Sequence, residues 1–178
     1  MHFLLLHGWQ GSGPDHWQTW LAGRLREDGH DVAYPVLPDP DRPRLDAWLG
    51  ALEPLREPDQ VVICHSLGCC LWLHHRARGG APAIRVALVA PPRPDPMPDE
   101  LAEFFPVPAD PGLGRGARVF CSDDDPYCPA GAQSVYATAL GTPVAVLEGA
   151  GHINADAGFG PWPHIEDWAY GAKKGVET

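Results

Sequence analysis

Short apolar runs alternate with longer amphipathic stretches along the chain, and turn residues separate them. Phe3–His7 is a continuous apolar run of strand length. A helix capped by Asp15 and running to about Glu27 follows. Trp17, Trp20, Leu21 and Leu25 share one of its faces, and Gly29 ends it. Val32–Leu37 reads as a strand broken by Pro35 and Pro38. Leu45–Leu55 reads as a helix, with Leu45, Trp48, Leu49 and Leu52 at helical spacing. Val61–His65 is a strand that runs straight into a helix over Leu67–Arg78. Ile84–Ala90, Val119–Ser122 and Val144–Leu147 complete a set of six strands. Helices over about Ala130–Leu140 and Ile165–Ala172 complete the pattern.

Strands separated by helices are βαβ units, and such units build a parallel sheet covered on both faces. The expected architecture is α/β: a three-layer α/β/α sandwich around a mostly parallel six-stranded sheet. A length of 178 residues fits a single domain over 1–178, with no internal repeat and no long linker. Ligands of such sheets bind beyond the carboxyl ends of the strands, so the residues after each strand carry the functional reading. One stretch is irregular. Between Pro91 and Gly116 stand eight prolines, with one helical turn expected around Glu100–Phe105. It reads either as a pocket wall or lid using Phe104 and Phe105, or as a surface loop stiffened by proline.

Composition narrows the function. Hydrophobic residues at 44% are enough for a core and exclude a disordered chain. A net charge of −10 excludes a generic nucleic-acid binder and disfavours anionic membrane surfaces. Phe3–Leu6 is too short to span a membrane and lacks the basic flank of a signal peptide, so the expected compartment is the cytoplasm. The five cysteines are an odd number, which does not suit a disulfide framework. Cys64, Cys69 and Cys70 crowd around His65, but Cys69 and Cys70 would diverge on a helix and no C-x-x-C is present. They read as small buried apolar residues, and no metal is expected.

The chemistry begins after the third strand. Cys64-His65-Ser66-Leu67-Gly68 is close to G-x-S-x-G, a sharp strand-to-helix turn that exposes a serine hydroxyl. Cys64 stands where the first glycine would be. The turn also sets Ser66 at a helix N-terminus, where backbone N–H groups face developing negative charge. Serine needs a base, and His152 follows the last strand in the flexible Gly149-Ala150-Gly151 loop. The base needs a carboxylate, and Asp123, Asp124 and Asp125 follow the preceding strand in the order Ser, Asp, His. Spacing alone leaves all three open. An oxyanion requires two donors: the N–H of Leu67, and one from the loop His7 to Gly13, where Gly8, Gly11 and Gly13 allow close approach. That loop lacks the lysine of a P-loop, and no G-x-G-x-x-G is present. Trp9 and Trp162 flank the loops of the expected site and either line it or pack in the core. His7 and His65 read as structural neighbours, while His16, His74, His75 and His164 carry no signal.

Together these blocks resemble the small lidless serine hydrolases of the α/β-hydrolase fold. This is the family of the vertebrate retinoblastoma-binding serine hydrolase and many short bacterial proteins. The resemblance covers nearly the whole chain. It rests on His7 to Trp17, Cys64 to Gly68, Val89 to Pro92, Asp124 to Cys128, Gly151 to Asp156 and Gly158 to Pro163. It implies a minimal α/β-hydrolase fold without a cap domain and no cofactor. It implies Ser66 as nucleophile, His152 as base, and Asp125, immediately before Pro126, as the triad acid, with Asp124 beside it as the fallback. The implied activity is hydrolysis of an ester, thioester or amide of a small acyl substrate.

The expected mechanism is esterase-like. Ser66 attacks, His152 takes its proton, Asp125 orients His152, and the N–H groups of Trp9 and Leu67 hold the oxyanion. Gln10, Phe104, Phe105 and Trp162 are the expected pocket residues. Two other readings stand beside it: the same fold in another reaction class, such as a lyase or cyclising acyltransferase, and a catalytically silent binding module.

Overall fold

The computed structural model describes residues 1–55, 57, 59–109, 111–128, 136 and 138–171. Strands β1 (His2–Leu6), β2 (Asp31–Ala33), β3 (Gln60–His65), β4 (Arg85–Val89), β5 (Ala117–Ser122) and β6 (Val144–Leu147) form one sheet in the order β2-β1-β3-β4-β5-β6. Every neighbouring pair is parallel. Side chains alternate across a strand, so each central strand feeds two cores. Leu4, Leu6, Val62, Cys64 and Leu88 face α2 (Leu45–Leu52) and α3 (Leu67–Ala77). Phe3, Leu5, Ile63, Val89 and Phe120 face α1 (Trp17–Glu27) and α4 (Pro163–Tyr170). Burial on both faces is why these strands read as unbroken apolar runs. This is the expected three-layer α/β-hydrolase fold, and among the described residues no cap domain covers the sheet.

The departures from the expected elements have local causes. β2 is three residues rather than Val32–Leu37. Beyond Ala33 the chain leaves the sheet, and Leu37 is buried with its N–H donating to His7 Nε2 at 2.8 Å. α2 stops at Leu52 and tightens into a 3₁₀ turn over Glu53–Leu55, because Pro54 cannot donate an α-helical hydrogen bond. The cap of α1 is His16 rather than Asp15, its Nδ1 accepting from the Gln18 N–H at 3.1 Å. Of the helix expected over Ala130–Leu140, residues 130–135 and 137 lie outside the described residues, as does Ala172 of the helix expected over Ile165–Ala172. In the proline-rich stretch, Asp99–Phe104 forms a 3₁₀ helix.

β1 leads to β2 on one side and β3 lies on its other side, so the strand order reverses between β1 and β3. A crevice at the carboxyl ends of these two strands is a consequence of that reversal. Gly8 and Ser66 sit there.

Candidate active site

Ser66 lies between β3 and α3 with φ 52° and ψ −124°, a left-handed conformation that a serine adopts only under constraint. The constraint comes from both sides. The Ser66 N–H donates to the Val89 carbonyl at 2.9 Å, and the two glycines around it permit close approach. A Cβ at Gly8 would lie 2.7 Å from Ser66 Cβ, and one at Gly68 would lie 2.6 Å from the carbonyl oxygens of Leu6 and His7. Because the obstacle at Gly68 is backbone, α3 would have to move away from β1. We therefore expect Gly68→Ala to destabilise the fold by about 2–3 kcal/mol, measured by urea unfolding. Cys64, in the first position of the elbow, causes no such conflict. Its side chain is fully buried among the apolar residues facing α2 and α3, register-matched between Leu6 and Leu88. Burial pushes the thiols of Cys64 and Cys69 well up, keeping them neutral.

The loop after β6 brings His152 to Ser66, with Nε2 2.9 Å from Oγ. Its Nδ1 lies 2.9 Å from both carboxylate oxygens of Asp125, which is buried. The bond to a carboxylate puts the proton on Nδ1 and leaves Nε2 as the acceptor for the serine O–H. The three adjacent acids divide their work. Asp123 Oδ1 accepts from the Gly149 N–H at 2.8 Å. Asp124 Oδ1 accepts from the Gly151 N–H at 2.7 Å and from the Ser122 hydroxyl at 2.6 Å. Those bonds hold the Asp124 carboxyl below the usual carboxylate range, the Ser122 hydroxyl being the larger cause. Both therefore tether the histidine loop, and Asp125 alone of the three meets the imidazole. Asp125 is itself oriented by the Tyr127 N–H at 2.9 Å.

Three further histidines surround this arrangement. His7 Nε2 accepts from Leu37, so Nδ1 carries the proton and donates to the Gly8 carbonyl at 2.7 Å, fixing the loop that begins at Gly8. His65 Nε2 donates to the His152 carbonyl at 3.0 Å. His16 caps α1. Burial is the largest cause holding all three below the ordinary imidazole value. For His65 and His16 the neighbouring His152 adds to it, and His16 falls to about 4. Above pH 6.5 folded and unfolded chains both carry these groups neutral. Below it the unfolded state takes up protons that the folded state refuses, so stability falls as pH falls. His16 alone should account for a loss of about 2 kcal/mol between pH 7 and pH 5, read from urea unfolding at the two pH values.

A cavity of about 260 Å³ opens over Ser66 and His152. Gln10, one of the expected pocket residues, lines it, and so does Trp9, whose place the sequence left open between pocket and core. So do Met97, Tyr127, His16 and the turn Asn154–Asp156. Tyr127 stands edge-on to the His152 ring, 4.6 Å between centroids. Its only sequence signal is its place two residues after Asp125. Among the described residues the N–H groups of Trp9 and Leu67 make no hydrogen bond. The other expected pocket residues lie elsewhere. Phe104 is fully buried beneath the 3₁₀ helix, edge-on to Trp48, because that helix folds its apolar side onto the core. Phe105 lines a separate apolar groove with Pro94, Met97 and Pro98. Trp162 is packed edge-on against Trp17, Phe120 and Phe159 under α1 and α4, because the turn before α4 folds back beneath the sheet.

A family model described as serine hydrolase matches residues 3–169. The chain belongs to this family. It is 35% identical over 68 residues to the YdeN protein of Bacillus subtilis, a stretch spanning 36% of this chain and 36% of that protein. The crystal structure of YdeN superposes with a TM-score of 0.84 at 25% identity, covering 96% of this chain and 97% of that one. A YdeN-like protein of Pectobacterium atrosepticum (TM-score 0.74, 22% identity, 96% and 91% coverage) shares the fold. So does an α/β-superfamily protein of Xanthomonas campestris pv. campestris (TM-score 0.61, 23% identity, 95% and 94% coverage). The elbow, the acid turn and the histidine loop all fall within the matched span of this serine hydrolase. No described helix is long and apolar enough to cross a membrane.

Proposed function

We propose that this serine hydrolase cleaves esters of small acyl groups through an acyl-serine intermediate. The observation that carries the reading is the continuous hydrogen-bonded line from Ser66 Oγ through His152 to Asp125, with 2.9 Å at each step. As Oγ bonds to the acyl carbon, its proton passes to His152 Nε2. Asp125 stabilises the imidazolium. The carbonyl oxygen becomes an oxyanion between the N–H groups of Trp9 and Leu67. Collapse breaks the bond to the leaving alkoxide, which takes the proton from Nε2. Water then gives a proton to Nε2 and attacks the acyl carbon. Oγ leaves with that proton, and the acid is released.

The cavity volume lies at or below the lower end of ordinary ligand sites, which favours short acyl groups over lipids. Its described lining contains no lysine or arginine, which favours uncharged substrates over anionic ones. The test is a fluorophosphonate probe followed by peptide mass spectrometry, with turnover of short-chain p-nitrophenyl esters beside it. An adduct on Ser66, missing in Ser66→Ala and His152→Ala, is expected. A folded wild-type protein that takes no label and turns over no ester would overturn the reading in favour of a binding module.

A further inference from the structure

The loop after β4 builds a second concave surface beside the catalytic cavity. Its volume is about 390 Å³, against about 260 Å³ for the cavity. Pro94, Met97, Pro98, Ala102 and Phe105 line it, and Asp99 is the one charged residue of the described lining. Prolines carry no N–H, and the amides of Met97 and Phe105 donate within the segment, to the carbonyls of Pro94 and Ala102. The groove therefore offers apolar surface and few hydrogen-bond donors. It is also held in shape. The Arg93 N–H ties one end to the Tyr127 carbonyl at 2.9 Å, and Leu101 and Phe104, both fully buried, anchor the 3₁₀ helix. An apolar hollow that is already formed and open to solvent is a ready ligand subsite.

Two observations connect it to the chemistry. Met97, half-buried, lines both the groove and the cavity that holds Ser66 and His152, so one residue borders the two. The groove also lies on a defined side of the nucleophile. β4 flanks β3 on the side away from β1, whose loop carries the Trp9 N–H. The bond from Arg93 to Tyr127 sets the start of the segment against the acid turn, and Tyr127 in turn stands against the His152 ring. A departing alkoxide takes its proton from His152 Nε2, so it leaves on the histidine side, away from Trp9. We propose that the groove receives the alcohol portion of the ester, so that the site selects esters joining a short acyl group to an uncharged, apolar alcohol of arylalkyl size. This rests on the hydrolase reading above. The cavity holds the acyl group, the alcohol portion crosses Met97, and Asp99 disfavours an anionic one.

The experiment varies one half of the ester at a time. The alcohol series is 2-phenylethyl, 3-phenylpropyl and 4-phenylbutyl butyrate. The acyl series is the ethyl esters of 4-phenylbutanoic, 5-phenylpentanoic and 6-phenylhexanoic acids. Ethyl butyrate is the reference for both, and each kcat/KM is divided by the rate of alkaline hydrolysis of the same ester. Wild type is expected to favour the best phenylalkyl butyrate over ethyl butyrate by about tenfold, the contribution of burying about half of a phenyl group. No member of the acyl series should exceed the reference by more than about threefold. Ala102→Asp puts a charge at an exposed position of the groove, and Phe105→Ala removes its aromatic wall. Each should lower the alcohol-side ratio to about twofold or less. Near-UV spectra identify a folded variant, and the exposed Ala102 keeps the test decisive if Phe105→Ala fails to fold. No alcohol-side preference in wild type overturns the inference. So does a larger preference on the acyl side, or an alcohol-side preference unchanged in Ala102→Asp. In each of these cases Ser66-dependent turnover of ethyl butyrate leaves the hydrolase reading standing. Absence of Ser66-dependent turnover of every ester overturns both.

Discussion

Ser66→Ala is expected to lower kcat for a p-nitrophenyl ester about 10⁶-fold, and His152→Ala by a similar factor. The two losses should not add. Without the hydroxyl there is no nucleophile for His152 to activate, and without the imidazole the hydroxyl keeps its proton. The double variant should therefore fall to the same floor as either single one, with the residual rate set by the N–H groups of Trp9 and Leu67 and by substrate binding. Neither change should unfold the protein. Ser66 is held in its left-handed turn by its backbone bond to Val89, which alanine keeps, and His152 lies at the edge of the cavity rather than in either apolar cluster. A single-turnover experiment with unchanged far-UV and near-UV spectra checks this. Losses smaller than about a hundredfold in both variants would mean that another group activates the water or the ester.

The second large effect separates the three adjacent acids. Asp125→Asn should reduce kcat about 10⁴-fold. An amide can offer its N–H to the imidazole and so favour the wrong tautomer, with the proton on Nε2 facing Ser66. It also removes the negative charge that stabilises the imidazolium. Asp124→Asn should leave kcat within about tenfold, because its carboxylate meets the Gly151 N–H and the Ser122 hydroxyl, not the imidazole. Its effect should appear instead as faster amide exchange at Gly151, where the tether is weakened. A reversal of the two results would move the triad acid to Asp124 and require the turn after β5 to rearrange in solution.

Much of the fold was legible because its two periodicities are local. Continuous apolar runs of strand length and apolar residues at helical spacing identified the six strands and the described helices. Their boundaries shifted by a few residues wherever a single group decided the outcome. His16, not Asp15, supplies the α1 cap, since a ring nitrogen can accept from a backbone N–H as an aspartate oxygen can. Phe104 and Trp162 misled for a different reason. Both neighbour the loops of the site in sequence, but an aromatic ring gains more from full burial than from lining a small wet cavity, and each finds an aromatic partner in the core. Met97 and Tyr127 line the cavity, and only the path of their loops brings them there.

The sequence by itself determined the class of fold, the strand-to-helix turn that carries Ser66, and the chain order of serine, acid and histidine, because each is written in a few neighbouring residues. Spacing could not separate Asp123, Asp124 and Asp125, and only the family resemblance pointed to Asp125. These are identical in composition and adjacent in a turn, and they differ only in the direction each side chain takes toward a loop lying some 27 residues further on. The burial of His16 Nε2 without a hydrogen-bond partner among the described residues was equally invisible. Whether a buried polar atom is satisfied depends on which other segments pack around it, and only the tertiary structure decides that.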